Sequence, residues 1–265
     1  MLYLEPRFKA KDLINEHGKV AVVGLPCHIW GFKKLEQVEG KIKDKILIHL
    51  GLFCGKCPNL YAVIYFLRKI ANVNEVDVAK MSYRGKGWPG NVTVLTKQGK
   101  SFNFELNKWY NFSYHPHFIP VRCVLCYDIT NQQADISLGD AWGLAPHDKI
   151  GASVVIARTP IGESTIQHLR EIRRLILCEA KPEQIIQGQG LENKIRNTLI
   201  RAYIWRRIFR QPSPFTLSSL PRTSIKNWIF NLGYCTWLYI AQNRLIRIVL
   251  GNTTPQISKI LKLIR

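Results

Sequence analysis

Apolar and polar positions alternate between two periods along the first seventy residues. KVAVVGLP, residues 19–26, is a β-branched run closed by Gly and Pro, which predicts a buried strand and a turn. Residues 29–36 carry helical spacing. KILIHLGLFC, residues 45–54, predicts a second buried strand that ends on a cysteine. Behind Pro58, apolar side chains recur at Leu60, Val63, Ile64 and Leu67, the spacing of one helix face over 58–70. Proline is harmless at that start because its missing N–H has no partner there. Strand, helix, strand, helix in succession predicts a mixed α/β fold with a partly parallel sheet flanked by helices.

The pattern then changes. VTVLTKQGKSFNFEL, residues 92–106, alternates with period two around Gln98-Gly99-Lys100 and predicts an inserted β-hairpin. Residues 134–140 and 153–160 read as further strands, and 162–175 as a helix. Residues 181–210 read as helical and basic, and 211–224 as a linker rich in Pro and Ser. These shifts divide the chain into a domain over 1–180 and a basic helical extension over 181–265. WIFNLGYCTWLYIA, residues 228–241, is mostly apolar but short of the roughly 18–20 residues that cross a bilayer. The cations that follow, interleaved with Leu and Ile, suit an interfacial amphipathic helix or a helix packed on the core.

Composition sharpens this picture. The chain has 265 residues, seven cysteines and a formal net charge of +20. From Leu191 onward there are thirteen Lys or Arg and one acid, Glu192. Such a balance suits anionic partners, including nucleic acid, membrane surfaces and acidic cofactors. No nucleic-acid motif is present, so nucleic acid is the weaker expectation. The N-terminal residues mix both charges and lack the apolar core of a signal peptide, which points to a cytoplasmic, reducing setting. An odd cysteine count in that setting argues against a disulfide framework and favours metal or redox use.

Cys178 and Cys235 stand alone in apolar surroundings and read as buried small hydrophobes. Cys27, Cys54, Cys57, Cys123 and Cys126 fall in turn-like contexts at predicted strand or helix ends. Cys54/Cys57 and Cys123/Cys126 are both CxxC pairs, the spacing that lets two sulfurs face one ion. The 65 residues between the pairs exceed a compact zinc ribbon, and zinc leaves Cys27 without a role. Iron–sulfur clusters take thiolates from distant loops. Spacing alone leaves zinc and iron–sulfur open. His115 and His117 in YHPHF have the residue type of metal ligands but no carboxylate beside them.

Four segments in order carry a resemblance: GLPCHIWGFKKL (24–35), GLFCGKC (51–57), YRGKGWPG (83–90) and RCVLCYD…ADISLGDAWG (122–143). Together they resemble the C-terminal domain of the coenzyme F420 hydrogenase/dehydrogenase beta-subunit family, over roughly residues 19–180. The resemblance implies an iron–sulfur flavoprotein oxidoreductase that passes electrons between a 4Fe-4S cluster, FAD and an acceptor such as coenzyme F420. It implies Cys27, Cys54, Cys123 and Cys126 as cluster ligands, with Cys57 as the alternate. Arg122 and the surrounding positive charge would then raise the cluster potential, since reduction adds negative charge.

In YRGKGWPG the glycines, Gly87 among them, permit close backbone approach. Arg84 and Lys86 have the charge to neutralise a pyrophosphate, and Trp88 has the ring to cover a flavin. Asp140 follows a strand and is a candidate to orient substrate or, more plainly, to cap a helix. His28, beside Cys27, is the candidate proton donor, against the plainer reading of a structural histidine. Leu25 stands where members of the family usually have Thr. Members also carry an upstream flavin-binding domain, so the resemblance implies a redox partner protein or a missing N-terminal half. The contrasting expectation is a zinc-stabilised four-cysteine module whose basic tail meets nucleic acid or an anionic membrane as a peripheral contact. A third is a truncated, inactive remnant.

Overall fold

The computed structural model describes residues 17–85, 87–144, 150–213 and 223–264, with Leu13 and Asn15, and side chains as far as Gln256. Two compact units interleave along the chain. The first takes residues 1–55, 128–145 and 152–189, and the second 56–127, 146–151 and 190–265.

The first unit is built on a four-stranded sheet in the order β1 (Val20–Gly24), β2 (Ile46–Leu52), β6 (Ile136–Asp140), β7 (Ser153–Ala157). β1, β2 and β6 run parallel, and β7 is antiparallel to β6. This is the predicted partly parallel sheet. Helix α1 (Pro26–Val38) packs on β1 and β2, and α6 (Pro160–Glu171) on β7. Val22, Ile29 and Ala134 form the buried centre, with Phe32 and Ile46 against it. A short α2 (Gly40–Lys45), unforeseen in the sequence, leads into β2, and α7 (Pro182–Gln189) closes the unit. The expected division at residue 180 falls just before α7.

The second unit holds the hairpin β4 (Asn91–Thr96) and β5 (Ser101–Glu105), which β3 (Val78–Ser82) extends to three antiparallel strands. Gly99 turns it at φ +82°, a conformation that side chains resist. Leu106 leaves the strand to begin α4 (Leu106–Ser113). The predicted helix at 58–70 is α3 (Leu60–Phe66) continued by a π-turn over Leu67–Ala71. Phe66 meets Phe104, Trp109 and Phe112 edge-on at 5.2–5.8 Å between centroids, which ties α3 to β5 and α4. A four-residue α5 (Val121–Val124) follows.

The basic extension supplies α8 (Leu191–Arg207), α9 (Ile225–Ile240) and α10 (Arg244–Ile264). Gly190, in the left-handed region at φ +60°, separates α7 from α8. Ile200, Ile204, Trp205, Cys235 and Leu238 from this extension join Ile119, Val124 and Leu125 in one buried core. From residue 190 on, the extension thus contributes to the second unit's interior. Of the predicted linker at 211–224, residues 214–222 lie outside the described residues.

Candidate functional site

In the first unit the parallel strands bring candidate residues to one edge. Gly24 pairs with Gly51, and Leu52 with Leu138, so β1, β2 and β6 end together. Cys27 follows β1, Cys54 follows β2, and Asp140 ends β6. The carboxyl edge of such a sheet is where ligands bind in open α/β folds.

Close packing fixes this edge. Asn131 is fully buried, and its amide donates to Gly24 O at 2.9 Å and Leu52 O at 3.3 Å. A methyl group on Gly51 would stand 2.4 Å from Asn131 Cγ and 2.6 Å from Ala134 Cβ. Cys27 is exposed in the first turn of α1. His28 is also exposed, its Cβ lying 2.9 Å from where a side chain on Gly24 would begin. Cys54 is half-buried, and its amide donates to Ile129 O at 2.8 Å. No helix starts at Asp140, contrary to the capping expectation. A turn follows instead, and the Asp140 carbonyl accepts from Trp142 N at 3.0 Å and from Gln189 Nε2 at 2.6 Å.

Behind the edge lies a hydrogen-bonded triad that sequence reasoning missed. The buried His49 ring faces Asp135 through Nδ1 at 3.0 Å and Glu36 through Nε2 at 2.7 Å. The His49 amide and the Thr159 hydroxyl also donate to Asp135, at 2.7 and 2.9 Å. Burial alone would raise the Asp135 carboxyl. These hydrogen bonds, with Lys33 nearby, hold it below its ordinary value. Arg158 organises the neighbouring segment, donating to Ser137 Oγ at 2.9 Å and to Thr130 O and Oγ1 at 3.1 and 3.0 Å.

The second unit holds the other three candidate ligand thiols. Cys123 lies in α5 and packs against the buried core, Cys126 is half-buried just beyond, and Cys57 is exposed. Beside them is an unpredicted group of cations. Lys56 Nζ reaches Tyr234 Oη at 3.4 Å, and Arg201 stacks on the same ring at 3.9 Å. Burial pushes Lys56 down to about 7, and Arg201 and Lys194 push the same way, with Cys123 opposing. None of these influences is a carboxylate.

The glycine-rich turn in this unit is held by its own residues. Arg84 donates to Pro89 O and Tyr110 Oη, both at 3.2 Å, and lies over the Trp88 ring at 5.5 Å. Asn91 N donates to Gly85 O at 2.9 Å. Gly87 and Gly90 have φ of +91° and +86°, and a side chain on Gly90 would meet the Gly85 backbone at 3.0 Å. One on Gly85 would meet nothing within 4 Å, which leaves an open approach beside a guanidinium. Trp88 packs on Gly151, whose Cβ would fall 2.9 Å from the indole. Lys86 lies outside the described residues.

Other candidates resolve differently. His115 and His117 stack at 5.6 Å, and His117 also stacks on Trp237 at 5.6 Å. His117 Nε2 meets Thr254 Oγ1 at 2.9 Å. Burial lowers His115 to about 4, and burial with its neighbour lowers His117 to about 3. They are packing residues. Cys235 is fully buried as expected, and burial pushes its thiol up to about 12. Cys178 is exposed, contrary to expectation, in an irregular and largely exposed segment between α6 and α7. Among the described residues no three His, Cys, Asp or Glu side chains gather as a metal-binding group. None of the seven cysteines forms a disulfide.

Comparison with known proteins follows the same segments. Residues 17–183 match the family described as the C terminus of the coenzyme F420 hydrogenase/dehydrogenase beta subunit. The chain is 26% identical over 213 residues to the coenzyme F420 hydrogenase subunit beta of Methanococcus voltae, covering 77% of this chain and 70% of that protein. It is 27% identical over 178 residues to an uncharacterised protein of Methanocaldococcus jannaschii, covering 63% of this chain and 59% of that one. A chain in the F420-reducing [NiFe] hydrogenase complex from Methanosarcina barkeri shares the fold at a TM-score of 0.53 and 23% identity. That match covers 75% of this chain and 66% of the other.

Proposed function

Since the chain belongs to the family of C-terminal domains of coenzyme F420 hydrogenase/dehydrogenase beta subunits, we propose that it is an iron–sulfur flavoprotein component of an oxidoreductase. In this reading Cys27, Cys54, Cys123 and Cys126 hold a 4Fe-4S cluster, with Cys57 in reserve. The observation that carries it is the carboxyl edge of the first unit's sheet, where Cys27 and Cys54 follow adjacent parallel strands. Donor chemistry agrees: each thiol is outside any disulfide, and four thiolates suffice for the cube. When bound, such a cluster exchanges single electrons and a flavin one or two, which couples one-electron carriers to a two-electron acceptor such as coenzyme F420.

The remaining roles fall to the chain's own groups. Lys56, which interacts electrostatically with Cys123, supplies positive charge that in this reading offsets the thiolates. Arg84 presents its guanidinium beside the open Gly85, a setting suited to the FAD pyrophosphate, and Trp88 offers a ring to the flavin. Lys86 has the charge for the same task. In this reading His28, exposed at the sheet edge, gives a proton to the acceptor as it is reduced, and Asp140 orients that acceptor. In this reading a partner polypeptide completes the flavin site. In Methanococcus voltae the relative is a hydrogenase subunit, which supports a partner for this chain.

Anaerobic reconstitution with iron, sulfide and FAD tests the reading. The expected product is brown, bleaches on reduction and retains flavin better with its partner than alone. A colourless product that holds zinc in the same thiols overturns it.

A further inference from the structure

Helix α9 carries an apolar surface that the core leaves uncovered. Asn231, Cys235 and Leu238 turn inward. Ile225, Ile229 and Phe230 stand 78%, 66% and 54% exposed, and on α10 Leu245 and Val249 stand 73% and 61% exposed. Between the two helices lies an open groove of about 710 Å³ lined by Ile229, Leu232, Thr236, Trp237, Ile240 and Leu250. Solvent exposure of that much contiguous apolar surface marks an interaction site.

Charge identifies the occupant. Exposed Lys226, in the first turn of α9, and exposed Arg244, at the start of α10, flank residues 227–243, which carry no charged side chain. The end of α8 adds exposed Arg206, Arg207 and Arg210, and stacking of Phe209 on Tyr239 at 4.8 Å sets that end beside the end of α9. The helices packed against α9 and α10 contribute almost no opposing charge: α3 and α4 contain no acid, and α8 has only Glu192. An apolar centre with cations at its margins fits a surface that is apolar within and anionic at its rim. Long basic side chains then reach the headgroups while isoleucines enter the acyl boundary. An acidic protein face would call for cations along the contact, where α9 has only Lys226, in its first turn.

We propose that α9 and the start of α10 dock the chain on an anionic lipid bilayer. The helices lie on the surface: among the described residues no helix is long and apolar enough to cross a membrane. This inference is independent of the redox reading and is tested without any cofactor.

Flotation of the full chain with phosphatidylcholine vesicles, with and without about 30% phosphatidylglycerol, provides the test. Binding is expected only to the anionic vesicles, at least about tenfold tighter than to neutral ones, and weakened by high salt. The Ile225→Glu/Ile229→Glu variant, at exposed positions that leave the core intact, loses about tenfold or more. Lys226→Glu/Arg244→Glu does the same. Circular dichroism confirms that both variants remain folded. Equal binding to neutral vesicles, no binding to either, or unaltered binding by both folded variants overturns the proposal. So does a chain that ignores vesicles but shifts DNA or captures an acidic protein.

Discussion

Acidification tests how the second unit holds its buried histidines. His115 and His117 fall from an ordinary 6.5 to about 4 and about 3, because burial penalises the imidazolium. A lowered histidine contributes stability that is complete above the unfolded value and is lost as pH falls toward the folded one. At about pH 5.5 the unfolded chain binds a proton at each ring and the folded chain at neither. Each site then costs about 1.4 kcal/mol relative to neutral pH, and the pair about 3 kcal/mol. Urea unfolding at about pH 7.5 and 5.5, followed by tryptophan fluorescence, reads this directly because Trp237 stacks on His117. A His115→Gln/His117→Gln variant removes both sites and is expected to lose about 3 kcal/mol less than the parent over the same interval. An equal loss in parent and variant refutes the reasoning.

Other outcomes follow from the first unit and from the cation group. Gly51→Ala drives a methyl into Asn131 and Ala134 and is expected to destabilise by about 2 kcal/mol or more, seen as a lower thermal midpoint. His49→Leu strands Glu36 and Asp135 without their shared partner, costing about 3 kcal/mol in urea unfolding. With Asp135 held low, the native chain loses its contribution as pH falls below about 4, the unfolded carboxyl value, and acid titration of the parent shows that loss. Lys56→Met removes a buried cation that faces Arg201 and Lys194, and it is expected to stabilise the metal-free chain by about 1 kcal/mol in thermal melts at neutral pH.

Much of the sheet was legible because β1 is a β-branched run closed by glycine and β2 an Ile/Leu-rich run leading to Cys54, signals that survive without context. Strand β3 was not, since VAKMS lacks clean alternation and gains its place only by pairing with β4. Helix α4 was hidden because period two continues visibly to Leu106, where the chain turns helical. The candidate thiols were legible through CxxC spacing and the ordered motifs. Asn131 and the Glu36–His49–Asp135 triad were not, since His49 and Asp135 lie 86 residues apart and no local pattern links them. Lys56 was equally silent: its cation group comes from α8, a segment read as a separate extension. Cys178 and Cys235 looked alike in sequence, and only packing separates the exposed thiol from the buried one.

The cluster assignment is most directly tested by iron and sulfide analysis of anaerobically reconstituted protein across single Cys→Ser variants. The parent and Cys57→Ser are predicted to hold about four iron and four sulfide per chain, the content of one cube. Cys27→Ser, Cys54→Ser, Cys123→Ser and Cys126→Ser are each predicted to lose most of it. A parent without iron, or equal loss in Cys54→Ser and Cys57→Ser, contradicts the account.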